Sequence, residues 1–191
     1  RLAGRRRKGR TVNTDIRWAL PDDGHTFPIY AGPTTDMDRV AEYSEERGVS
    51  TIRFGGDTWS LTADKGPEAS AATMSGTFTA TGDAATFARS RTVRCVADRH
   101  TVTVEAESRR QFVLDIDGVK AGQFTSENRG LKNLHVQFEG PGEALPLDVQ
   151  VFLSWVARRC METRVLNGTL AWTVGLIILV PFMIAVFMGL L

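Results

Sequence analysis

The amino-acid sequence predicts a mainly β (α+β) protein, an antiparallel barrel or sandwich with a buried C-terminal helix, followed by a single transmembrane helix. Short segments in which apolar and polar residues alternate, separated by turn residues, predict the strands. Residues 147–161 carry apolar side chains at helical spacing, and residues 170–191 include no charged residue. The chain is therefore divided into a basic leader (1–14), a β-rich domain (15–164) and a membrane-spanning tail (165–191).

The leader is strongly basic, although the chain as a whole is almost neutral. There are 23 Lys and Arg residues against 22 Asp and Glu residues, a net charge of +1, which does not indicate a nucleic-acid-binding protein. We expect the leader to be disordered by itself. Because a positive side chain near anionic lipid contributes about 1 kcal/mol, we predict a lipid-binding leader, with a nucleic-acid-binding arm and a merely solvated tail as alternatives. The predicted lipid-binding residues are Arg5, Arg6, Arg7, Lys8 and Arg10.

The β-rich domain is predicted to consist of many short strands. The first strand begins at Asp15, and a Pro-Asp-Asp-Gly turn follows it. The clearest hairpin is 111–124, in which Asp117 and Gly118 turn the chain. Segments rich in Thr, Val, Phe or Trp predict further strands at 26–30, 51–54, 58–62, 73–81, 86–96, 101–107 and 134–138.

Two helices are predicted within this domain. Residues 35–47 have Thr35 as an N-cap, acidic residues in the first turn and Gly48 just past the end, which predicts a helix whose length suggests a lid or connector. Residues 147–161 are apolar around most of the helix, so we expect this second helix to be buried. Its apolar stripe consists of Val149, Phe152, Leu153, Val156, Ala157 and Cys160.

The second half of the domain carries a resemblance to a known family. The features that carry it are the Asp117-Gly118 turn with Gly122, the strand 134–138, and the helix that begins Leu145-Pro146-Leu147-Asp148-Val149 and continues through Phe152, Trp155, Arg158 and Arg159. Together, over about residues 51–159, they resemble the tubby C-terminal-like β-barrel family, which includes LURP-one and phospholipid-scramblase branches. The resemblance implies an antiparallel barrel closed around a hydrophobic C-terminal helix, with 147–159 filling the barrel.

The tail is predicted to anchor the protein in a membrane. The 22 uncharged residues of 170–191 would extend about 33 Å as a helix, which matches the hydrocarbon core of a bilayer. Arginines precede this segment and no charged residue follows it, so the positive-inside rule places the β-rich domain in the cytoplasm. The predicted membrane-flanking residues are Arg158, Arg159, Arg164 and Trp172.

No common catalytic signature occurs in the chain. The serine-hydrolase, zinc-protease and phosphate-binding glycine motifs are missing from the sequence. Among the histidines, His135 could act with a nucleophile only if folding brought Cys95 or Ser75 close, and a structural role is favoured. Cys95 and Cys160 do not match the spacing of a metal site. We therefore predict that the protein is not an enzyme and has no catalytic residue, metal or cofactor.

The predicted function is that of a single-pass, tail-anchored membrane protein. Its cytoplasmic β-rich domain would be a binding or accessory module for a membrane protein complex or for lipid headgroups. The expected partners are a membrane with anionic lipids and a membrane protein or complex, and no nucleic acid. Two alternatives stay open: a scramblase-like lipid-handling protein, and a soluble barrel with 170–191 buried inside it.

Overall fold

A computed structural model describes residues 15–21, 23–63, 65–108, 111–125 and 134–162. Within these residues, twelve antiparallel strands form a closed barrel in which each strand pairs with the next and β1 pairs with β12. The strands are β1 (Asp15–Trp18), β2 (Thr26–Gly32), β3 (Asp38–Glu46), β4 (Val49–Phe54), β5 (Asp57–Ala63), β6 (Glu68–Thr73), β7 (Gly76–Gly82), β8 (Thr92–Ala97), β9 (His100–Ala106), β10 (Gln111–Ile116), β11 (Val119–Thr125) and β12 (His135–Phe138). A short 3₁₀ helix (Gly140–Ala144) and the helix α1 (147–162) follow.

The helix α1 lies inside the barrel. On one side, the ring of Phe152 packs edge-on against Phe78 of β7, with 5.5 Å between the ring centroids. On the other side, Trp18 of β1 donates a hydrogen bond from Nε1 to Ser154 Oγ at 3.0 Å. Since β1 and β7 lie on opposite sides of a twelve-stranded ring, a helix that contacts both must cross the interior. The predicted buried helix is confirmed.

The inward-facing side chains of the wall fit around this helix. Because side chains alternate across a strand, every second residue points to the interior, and those residues are apolar. Small residues stand beside large ones: Ala69 and Ala71 of β6 leave room for Phe78 of β7, which also packs edge-on against Trp59 of β5. The barrel therefore has a packed core around α1.

The chain enters and leaves the barrel at opposite ends. Because the strands alternate in direction, the connections after β1, β3, β5 and β7 lie at one end, and those after β2, β4, β6, β8 and β10 lie at the other. The helix begins near Gly142, whose carbonyl oxygen accepts a hydrogen bond from Gln150, and Arg159 reaches the carbonyl oxygen of Ala63 at the end of β5. We call the end with residue 162 the exit end. The end with Asp15 and the start of α1 is the entry end.

The predicted helix 35–47 is wrong, because this segment contains strand β3. Ala41 and Tyr43 point into the barrel, and their neighbours along the strand are more exposed, which is the period of a strand. Gly48, which we interpreted as a helix end, is the second residue of a two-residue hairpin turn, with φ of 51° at Arg47 and 81° at Gly48. Pairing with β2 and β4 outweighs the helix propensity of the residues.

Two of the predicted strands have different boundaries. The segment 73–81 is the end of β6, a turn at Met74 and Ser75, and most of β7. In 86–96, only the part from Thr92 belongs to a strand, because the Ser90 hydroxyl and backbone N–H both bond the carbonyl oxygen of Thr86 and form a compact turn. The Asp117-Gly118 hairpin is confirmed.

Among the residues that the structure describes, no helix is both long and apolar enough to cross a bilayer. The basic leader 1–14 and the predicted span 170–191 lie outside the described residues, as do Arg164 and Trp172. The predictions for them stay predictions.

Candidate functional site

The described part of the protein has open grooves on its outer wall. One groove, of about 350 Å³, lies beside the β4–β5 turn and is lined by Arg39, Arg53 and Asp57 among others. A second, of about 470 Å³, crosses β7 and β8 and includes Thr79 and Arg94. Both grooves are wide open to solvent, and neither lining includes a histidine or cysteine that could act in catalysis.

The most distinctive cluster of side chains surrounds Arg158 at the exit end. The guanidinium carbon of Arg158 lies 4.1 Å from the ring centroid of Phe27, 4.9 Å from Trp18 and 5.1 Å from Tyr43. Only 9% of the Arg158 side chain is exposed. A guanidinium over aromatic faces is attracted by their negative π-clouds, and this attraction is larger when the cation is desolvated. The three strands β1, β2 and β3 thus hold the last turn of α1 through one cation.

An acidic residue on α1 balances this cation. Arg158 Nε donates to Glu162 Oε1 at 2.7 Å, and Arg159 Nη1 donates to Glu162 Oε2 at 3.2 Å. These residues are four and three positions apart, which places them on one face of a helix. Arg159 also donates to the carbonyl oxygen of Ala63 at 3.5 Å. The pairing therefore fixes the end of α1 to β5 as well as to the aromatic side chains.

Tyr43 extends the cluster with a hydroxyl group. Its ring lies 5.4 Å from Trp18, and its hydroxyl donates to Glu45 Oε2 at 3.0 Å and lies 3.2 Å from Ser50 Oγ. Burial raises the pKa of Tyr43 above its ordinary value, and the hydrogen bond with Ser50 opposes that effect only in part. Tyr43 therefore stays protonated at neutral pH and acts as a hydrogen-bond donor.

A second polar cluster lies where β1 pairs with β12. His135 Nε2 of β12 lies 2.9 Å from Asp15 Oδ2 of β1, and the Thr34 hydroxyl donates to the same oxygen at 2.7 Å. These groups lie outside the core, because Ile16 and Val136 between them point inward. The structure does not bring His135 to either proposed nucleophile. Cys95 points into the core from β8, and Ser75 lies in the β6–β7 turn across the barrel.

The cysteines are buried in the core. Cys95 and Cys160 each have 1% of their surface exposed. Burial raises the pKa of Cys95 well above its ordinary value, and neighbouring Cys160 adds to the effect, so this sulfur is a poor nucleophile. In the described ranges, no group of three or more His, Cys, Asp or Glu side chains is placed to hold a metal ion.

Of the site residues predicted from sequence, only two fall within the described ranges. Arg158 and Arg159 both lie at the exit end, and their predicted role beside a membrane stays a prediction. Sequence reasoning missed the partners of Arg158. The alternation around Trp18 indicates an inward side chain, but no sequence signal connects it to an arginine so far along the chain. Comparisons with protein-family models, curated proteins and solved structures found no match for the chain.

Proposed function

We propose that this protein is a tail-anchored membrane protein whose barrel is a cytoplasmic, non-enzymatic binding or accessory module. The observation that carries the proposal is the course of the chain at the exit end. Helix α1 is described up to residue 162, and the 22 uncharged residues of 170–191 begin after a short connection. A segment of that length and composition favours a bilayer as its environment. The partner would be a membrane protein complex or lipid headgroups.

The packed interior supports binding on the outer surface. Barrels that carry a small ligand inside leave a cavity for it, whereas here side chains such as Phe152 and Trp155 of α1 occupy the interior. The outer wall and the loops at the two ends are therefore the surfaces available to a partner. A rigid wall that carries exposed loops is a common arrangement for recognition.

A scramblase-like lipid-handling protein is the second candidate. It rests on the resemblance to the tubby-like family, whose implied architecture is a barrel closed around a hydrophobic C-terminal helix. The closed twelve-stranded barrel with α1 inside supports that candidate at the level of the fold alone.

Membrane attachment is tested on the full chain by extraction and protease protection. We expect the full chain to stay with the membrane pellet in alkaline carbonate and a chain without 170–191 to be released. Protease added outside intact cells should leave the barrel uncut. Release of the full chain would overturn the anchor, and cutting from outside would reverse the proposed orientation.

Reconstitution separates the two candidates. If the barrel is a binding module, the full chain should co-purify with a stable partner in mild detergent and leave lipid redistribution in vesicles unchanged. Accelerated redistribution of labelled lipid, lost when 170–191 are removed, would instead support the lipid-handling function.

A further inference from the structure

Two large aliphatic side chains are exposed on neighbouring loops at the exit end. Leu20 follows β1 and is 52% exposed, and Val49 begins β4 and is 63% exposed. Their loops are adjacent because the start of β2 pairs with the end of β3, where Thr26 lies opposite Ser44. Exposed leucine or valine side chains on adjacent loop tips are suited to an apolar environment rather than to water.

The chain beyond α1 leaves from this same end. Residue 162 is at the exit end, and the seven residues 163–169 can extend at most about 25 Å before residue 170. If 170–191 cross a bilayer, the exit end is therefore held near that bilayer. The entry end lies one barrel length away from residue 162, so its loops are not held near the bilayer.

The charged residues around these loops have both signs. Asp23 lies in the loop with Leu20, Glu45 and Glu46 end the strand before Val49, and Arg47 lies exposed in the turn between them. The Thr26 hydroxyl and the backbone N–H groups of Thr26 and His25 bond the Asp23 carboxylate and hold its pKa well below the ordinary range. Because charges of both signs lie at these loops, they give no strong net attraction to anionic headgroups, so attraction at this end must come from apolar insertion.

We infer that the exit end of the barrel docks on the bilayer surface, with the side chains of Leu20 and Val49 inserted among the lipid headgroups. This inference rests on the proposed function, because the anchor 170–191 holds the exit end at the membrane. It adds a defined orientation: the Arg158 cluster lies just above the headgroups, and the entry end faces away from the membrane. Insertion should not depend on anionic lipid.

Site-specific fluorescence tests the orientation on the full chain. Leu20→Cys and Val49→Cys place a polarity-sensitive fluorophore at the exit end. Met74→Cys and Val119→Cys are matched controls at the entry end, because Met74, in the β6–β7 turn, is 86% exposed and Val119, which begins β11, is 55% exposed. Cys95 and Cys160 are buried, so the unsubstituted chain measures their background labelling.

The labelled chains are reconstituted in phosphatidylcholine vesicles that contain nitroxide-labelled lipid. We expect a blue shift and loss of fluorescence at positions 20 and 49, and neither change at 74 and 119. Adding phosphatidylserine should leave these signals unchanged. If the protein floats with the vesicles but positions 20 and 49 behave like 74 and 119, this orientation is wrong while the anchor stands. If the protein does not float with the vesicles, the proposed function fails as well.

Discussion

The charged side chain of Arg158 joins α1 to three strands of the wall. Its guanidinium lies over three aromatic rings while its Nε donates a hydrogen bond to Glu162. The contacts with the rings depend on the planar shape of the guanidinium, and the pairing with Glu162 depends on its positive charge. An ammonium group cannot stack in this way, and it would place its charge as a point rather than a plane. The geometry at this position therefore favours arginine over lysine.

Replacing Arg158 by lysine is expected to lower the free energy of unfolding by about 1–2 kcal/mol, because the stacked contacts with the rings are lost. Arg99→Lys is the control, since Arg99 lies exposed in the β8–β9 turn. Urea unfolding of the full chain, followed by tryptophan fluorescence, measures both variants. Equal stability of the two variants would show that the rings do not recognise the guanidinium.

Because the thiol of Cys95 is buried, we expect the protein to lose stability in alkaline solution. Burial raises the pKa of its thiol in the folded protein, so the folded state holds the proton more tightly than the unfolded state does. The resulting stabilisation is complete below the pKa of the unfolded thiol, about 8.5, and is lost as the pH rises toward the folded value. The melting temperature should therefore fall as the pH rises above about 8.5, and more steeply than in Cys95→Ala. Parallel slopes in the two proteins would contradict this explanation.

At the scale of elements, the helix is the centre of the core. Phe152 is fully buried on α1 and contacts both Phe78 and Trp155. Phe152→Ala should lower the free energy of unfolding by about 3–5 kcal/mol through lost contacts and a cavity. Met74→Ala, at an 86% exposed turn position, should change it by less than about 0.5 kcal/mol. An unchanged melting temperature in Phe152→Ala would mean that α1 is peripheral.

The 3₁₀ helix before α1 packs against β11 by a close backbone approach. A Cβ at Gly142 would overlap the carbonyl oxygen of Ala121, and the Gly142 carbonyl accepts a bond from Gln150. Gly142→Ala should therefore destabilise the protein by about 1–3 kcal/mol. Gly66→Ala is the matched control, because nothing lies within 4 Å of its added Cβ. Calorimetry compares them, and similar melting temperatures would rule out the close packing as a constraint.

The strands and the helix differ in how well they can be predicted from the sequence. The hairpin at Asp117 and Gly118 and the buried helix α1 are predictable because turn residues and apolar spacing are local signals. Strand β3 is not, since Gly48 suits a helix end as well as a hairpin turn and only the neighbouring strands decide between them. The contacts of Arg158 depend on barrel closure, which no local pattern describes.

At the scale of the whole molecule, the basic leader precedes Asp15, which lies at the entry end. Its 14 residues can extend at most about 48 Å, so it could run back along the barrel to an anionic membrane. Reversing the charges of Arg5, Arg6, Arg7 and Lys8 should leave membrane association intact but raise the hydrogen-exchange rate of β1 in anionic vesicles. In neutral vesicles the two proteins should exchange alike. If lipid charge has no effect on either protein, the leader is only a solvated tail.

Asp15 and residue 162 lie at opposite ends of the barrel, and this arrangement determines how the barrel would respond to mechanical load. A partner that pulls on the leader would draw β1 toward the entry end, while a fixed tail would hold α1 at the exit end. That force acts along β1, so its hydrogen bonds to β2 and β12, and the Asp15–His135 contact, would be sheared together rather than opened one after another. The barrel would then resist traction between a membrane and a partner at its far end.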